Sequence, residues 1–391
     1  MEVVLQFYLP ETIQSSIARS LVTWPECPVV AFLMVMDMKI AERIFQFLKT
    51  AHFKENKRGK GVSYISEITI AFVLVITITK GGGMFIRGCN TTVKNTVFSY
   101  NQVIGLGGSL MVDAASGETI LDSLNINNSQ SDRHGGGISI TGGNVIITNS
   151  IVQDNIASNN GGGVYVRGTK GWILKVDMIN TTVANNQVFL KNKHLRKIYL
   201  FFFFYELRIA AQGGGMSVES NLNIYNWSAE PEVTLTGVTV LQNIGDTYGG
   251  GIFIEKGSLK TFGCIFDKNQ AKNGSGLYYD SGWYQDYQSL FKQNVASAVG
   301  GGMYAKDVDM GLTNTKLLRN NAKYGGGLFM ERCLLRNSTN LNFSQNVAKY
   351  SGGAVQVPSN CQWCVNCNFQ SNTAAFGQDQ STGPKRMEVC V

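Results

Sequence analysis

The chain reads as all-β, a right-handed parallel β-helix of about ten coils with a repeat of about 25–26 residues. Three recurring observations predict it. Glycine clusters return at near-constant spacing, a short alternating apolar stretch follows each cluster, and a Phe-x-x-Asn motif precedes it.

The glycine clusters come first. Triplets stand at residues 81–83, 135–137, 161–163, 213–215, 249–251, 300–302 and 325–327, with degenerate copies at 107–108, 274–276 and 352–353. From Gly250 the centres fall at Ser275, Gly301, Gly326 and Gly352, in steps of 25, 26, 25 and 26. With 44 glycines against 6 prolines and 44% hydrophobic residues, the chain matches neither collagen nor a disordered linker. Glycine recurs for a backbone reason, a sharp corner at positive φ.

After each corner comes a strand. Met84-Phe85-Ile86, Ile138-Ser139-Ile140, Val164-Tyr165-Val166, Ile252-Phe253-Ile254 and Leu328-Phe329-Met330 are short, apolar and rich in β-branched and aromatic residues. Twenty-five residues supply two or three such strands and no private core, so each unit must stack on its copies. At about 4.8 Å per coil, ten coils make a rod on the order of 48 Å long.

Before each corner comes Phe-x-x-Asn, at Phe98/Asn101, Phe266/Asn269, Phe291/Asn294, Phe343/Asn346 and Phe369/Asn372. Val152/Asn155, Val183/Asn186, Val240/Asn243 and Leu317/Asn320 are aliphatic variants. In a stack these asparagines form a structural ladder, Asn101, Asn155, Asn243, Asn269, Asn294, Asn320, Asn346 and Asn372, each amide bonding the coils beside it. Their role is to hold the coil.

The pairing of Phe343-Ser344-Gln345-Asn346 with Gly352-Gly353-Ala354-Val355 resembles the repeat of polymorphic outer-membrane proteins. The resemblance spans about Gly81 to Gln378. It implies a pectin lyase-like β-helix and a surface-exposed, adhesive role.

Three domains are expected: a non-repeat segment over 1–80, a cap or a gene-model artefact; the β-helix over 81–378; and a tail over 379–391. The spacing jumps to 52 between Gly162 and Gly214, where residues 188–209 intrude with phenylalanines 201–204 and a basic run. Excising them restores the asparagine-to-glycine spacing, as a loop insertion or translated non-coding sequence would; the second is preferred.

Charge narrows the partners. Residues 39–60 carry +5 and residues 191–208 carry +4 of a net +7, so the repeat region lacks the basic footprint that nucleic acid requires. No clean secretory signal is visible, and the apolar run 68–79 is too short to span a membrane. Membrane association is expected only indirectly or through the amino-terminal segment. Cys361, Cys364 and Cys367 lie close together with no histidine near, a pattern favouring disulfides over a metal.

Chemistry is harder to find. Neither an Asn-Thr-Asp nor an Asp-Asp pair occurs, and Arg133 stands where a Gly-His-Gly element would need glycine before His134. No Gly-Lys-Ser/Thr follows the triplets, so no phosphate loop is present. No catalytic residue, cofactor site or metal site is assigned. Asp280, Asp286, Asp307 and Asp309 form the densest acidic stretch. Trp283, Tyr284 and Tyr287, with Asp280 and Asp286, are the candidate binding residues, read as an exposed loop whose rings would stack on sugars or anchor a protein; alternatively they pack over a coil corner. The expectation is a non-catalytic extracellular or cell-surface (outer-membrane) scaffold binding carbohydrate or protein. The alternative is a polysaccharide lyase or glycoside hydrolase with an atypical site.

Overall fold

The computed structural model describes residues 81–382 apart from 89, 114–116, 169–173, 190–211, 221–229, 336–337 and 358–364, together with the dipeptides Val29–Val30 and Ser63–Tyr64. The rest of 1–80, most of the intruding segment, Cys361, Cys364 and the end of the tail lie outside the described residues. Among the described residues the architecture is all-β without helix, a parallel β-solenoid of about ten turns with a repeat of about 26 residues, as the glycine spacing predicts.

Each turn begins at a glycine corner. Gly249 has φ 62°, and a Cβ there would stand 2.4 Å from the Ile252 carbonyl oxygen. Its neighbour Gly250 is needed for a different reason: a Cβ would meet the Gln270 carbonyl oxygen of the next coil at 2.4 Å. One glycine sets the bend and the other lets two coils touch.

The strand after the corner pairs in register with its counterparts above and below. Ile252 pairs with Met216 on one side and Leu277 on the other, and Leu277 pairs in turn with Met303. Further along each coil a second, ten-stranded parallel sheet runs from Val97–Ser99 to Asn368–Gln370. Its middle residues point inward. Phe266 and Phe291 stack there with ring centroids 4.2 Å apart, and Phe343 and Phe369 with centroids 5.3 Å apart. One cluster of buried apolar side chains fills the interior from Ile86 to Val357.

The asparagines bond continuously beneath this sheet. The Asn269 Nδ2 donates to the Val240 carbonyl at 2.9 Å and to Asn294 Oδ1 at 3.0 Å, and its backbone N–H donates to the same Oδ1. The same pattern runs through Asn155, Asn186, Asn243, Asn294, Asn320, Asn346 and Asn372. Ser129 holds the slot in the coil between Asn101 and Asn155: its Oγ accepts from the Asn101 backbone N–H, and its own N–H donates to Asn155 Oδ1. The residue just before each ladder position, Lys268 and Gln293 among them, takes a left-handed conformation, φ 54° and 53°. Nearly every coil thus turns a second corner without glycine, beside an amide that bonds its backbone.

Val188 pairs with Ala157 and is buried, so the coil continues into the first residue of the intruding segment.

Candidate binding groove

The five candidate binding residues all lie on one strand, Leu277–Tyr287, and not in a loop. Leu277 and Tyr279 face inward. At Ser281 and Gly282 the backbone bends through φ 66° and 135°, which moves the inward face from odd to even positions. Tyr284 and Asp286 are consequently both 0% exposed. This corrects their reading as exposed contacts: alternation places them inside the coil.

Asp286 occupies an inward column that runs Leu235, Thr261, Asp286 and Leu312 on successive coils. Its carboxylate accepts from the Thr261 and Thr315 hydroxyls, and the Tyr284 hydroxyl lies 3.1 Å from Thr261 Oγ1. Burial pushes the Asp286 carboxyl above the usual range, opposed by the hydroxyl donors of Ser289, Thr261 and Thr315. Nothing there is open to a ligand.

Trp283 and Tyr287 do face outward. Trp283 is 38% exposed, with the Lys260 ammonium 5.4 Å from its ring centre, and half-buried Tyr287 stacks on Phe262 at 5.2 Å.

Asp280 belongs to a different and larger arrangement. Outward from the strand that follows each glycine corner, the middle residue of the alternating triplet repeats as Phe253, Tyr278, Tyr304 and Phe329 on successive coils. Their rings stack with centroids 5.4, 4.7 and 5.4 Å apart, and Tyr248 leans on Tyr278 at 4.5 Å. The ring faces cover one another, so Tyr278 and Tyr304 are only 7% exposed. What faces out is a run of ring edges parallel to the solenoid axis.

Two residues further along each coil lies a column of charge. Arg167, Glu219, Glu255, Asp280, Lys306 and Glu331 stand on successive coils. Lys306 pairs with Asp280 at 3.0 Å, and the Tyr304 hydroxyl donates to Glu331 Oε2 at 2.8 Å. Glu219 accepts from the Tyr165 hydroxyl at 2.9 Å and from the Asn160 side-chain amide. Burial raises the Glu219 pKa, and repulsion from Glu255 adds to the rise. The Tyr165 ring lies against His134, centroids 4.4 Å apart.

Glu219 and Glu255 escape a sequence reading because 36 residues separate them, against 25 between Glu255 and Asp280. The signal is present all the same. Each is the fourth residue of its strand, in Met216-Ser217-Val218-Glu219, Ile252-Phe253-Ile254-Glu255 and Leu277-Tyr278-Tyr279-Asp280.

Among the described residues, no group of three or more histidines, cysteines and carboxylates is placed to hold a metal ion, and no helix is long and apolar enough to cross a membrane. Cys264 and Cys333 are free thiols, and Cys367 is disulfide-bonded. No protein-family model, curated protein or solved structure matches the chain.

Proposed function

We propose that the protein is a non-catalytic scaffold of the cell surface or extracellular space that binds a carbohydrate chain or a protein along its outer strip of stacked rings and charged side chains. The observation that carries this reading is the run of stacked rings from Phe253 to Phe329 beside the column of charged side chains. Ring edges and carboxylates repeating at one coil spacing suit an extended ligand lying along the axis, with aromatic contact and polar partners at each step. The disulfide at Cys367 is in keeping with an oxidising compartment. The resemblance of the Phe343 and Gly352 motifs to polymorphic outer-membrane protein repeats, and through it to pectin lyase-like β-helices, points the same way.

A glycan array probed with the full chain and with Tyr304→Ala tests it. Wild type should retain a restricted set of linear glycans, and the variant should lose about tenfold in affinity, the worth of one aromatic contact. Retention of none, or equal retention by both proteins, sinks the carbohydrate reading.

Glu219 supports a second reading, a polysaccharide lyase or hydrolase. Its carboxyl is held toward the protonated form beside Glu255 on the adjacent coil, about 4.8 Å along the axis. A carboxyl held toward its acid form beside a second carboxyl is what glycosidic acid/base chemistry uses. Product release from a retained glycan, abolished in Glu219→Gln, would establish it; a glycan bound and left intact would exclude it.

A further inference from the structure

We propose that the turn carrying His134 and Ser139, with the next turn's Tyr165 and Arg167, is a subsite for an oxyanion, a carboxylate or sulfate group carried on the ligand of the outer strip. The inference rests on the reading of that strip as a binding surface and names a chemical group that it would recognise.

Ser139 is the outward residue between inward-facing Ile138 and Ile140, in the column that becomes aromatic further along at Phe253, Tyr278 and Tyr304. It is 0% exposed, and its Oγ has no hydrogen-bond partner. Across the glycine corner of the same coil, His134 Nδ1 is also buried without a partner. Buried polar atoms are nearly always satisfied, and an unsatisfied pair on one corner is a costly arrangement for folding alone. The half-buried imidazole lies flat on Tyr165, whose hydroxyl donates to Glu219. Ser139 pairs across the coils with Tyr165, the residue on whose ring His134 lies, so both unpartnered atoms adjoin that one side chain.

The sign of the ligand follows from the charges. Arg133 and Arg167 are exposed at the margins, and both act on His134, adding to the burial that lowers its pKa to about 4. The imidazole is therefore neutral at pH 7, in a positive field. The nearest carboxyl of the strip, Glu219, is bonded by Tyr165 and Asn160 and is itself held toward neutrality. A hydroxyl donor, an imidazole nitrogen and two guanidinium groups together fit an oxyanion, not a cation.

The chain has three histidines, so imidazole NMR signals report on the site directly, with His134→Asn giving the assignment. The full chain is titrated with sodium sulfate and, separately, with sodium glucuronate, against sodium chloride at matched ionic strength. Saturable movement of the His134 signals is expected with at least one oxyanion, weakened about tenfold in Ser139→Ala and in Arg167→Gln. Sulfate alone or glucuronate alone decides which group is recognised. Equal movement in chloride, or a Ser139→Ala protein that responds like wild type, overturns the proposal. That failure leaves glycan retention dependent on Tyr304 untouched, so the subsite and the strip can fall separately.

Discussion

The Asn243 side-chain nitrogen lies 3.1 Å from Asn269 Oδ1, and the Asn243 backbone N–H donates to that same oxygen at 3.0 Å. Asn269→Ala would remove the acceptor of the Asn243 backbone N–H and of one Asn243 amide hydrogen, and the side-chain donor to the Val240 carbonyl, inside the stack. The expected loss is about 3 kcal/mol in urea unfolding. Asn269→Ser should cost less, because Ser129 fills the same slot and its Oγ accepts from the Asn101 N–H at 3.2 Å. Equal losses for the two variants would show that the ladder bonds contribute little beyond side-chain volume.

Gly250 and Gly263 separate two uses of glycine. A Cβ on Gly250 would sit 2.4 Å from the Gln270 carbonyl oxygen, and Gly250→Ala should cost about 3 kcal/mol because two backbones must part. Gly263 has φ 58° with no atom within 4 Å of its built Cβ. Gly263→Ala then carries only the left-handed backbone penalty of about 1 kcal/mol. Thermal unfolding of both variants checks the order, and a costlier Gly263→Ala would contradict it.

Asp286 links stability to pH. Its folded pKa is raised above the ordinary 3.8, so the folded state binds the proton more tightly than the unfolded chain does. The stability this gives is fully present below pH 3.8 and is lost as pH rises through the folded pKa. Asp286→Asn keeps the shape without the charge. It should stabilise the protein at pH 7 by on the order of 1 kcal/mol, with the difference shrinking at pH 4. Unfolding midpoints at the two pH values test this; a variant less stable than wild type at pH 7 would place net stabilisation in the ionised carboxylate.

The solenoid was legible because its cause is local and periodic. Glycine at a left-handed corner, alternation over three residues and an asparagine at fixed offset each leave a mark within one coil, and 25-residue recurrence makes them unmistakable. Ser129 was not legible as a ladder residue, since Asn127 and Asn128 stand beside it and the motif lacks its asparagine. The inward turn of Tyr284 and Asp286 was hidden for a backbone reason. A strand that changes parity at a bend looks in sequence like any eleven-residue strand, and only the φ values at Ser281 and Gly282 show which face is buried.

What the amino-acid sequence determined by itself is the repeat unit, because corner, strand and amide are properties of short segments. What the tertiary structure decided is which residues of different coils share an outward column. Asn186 and Asn243, 57 residues apart, bond as closely as Asn269 and Asn294, 25 apart. Hydrogen bonding along the stack sets the register, whatever length of chain leaves the coil and returns. That is why Glu219, Glu255 and Asp280 fall into one column that their sequence separations conceal.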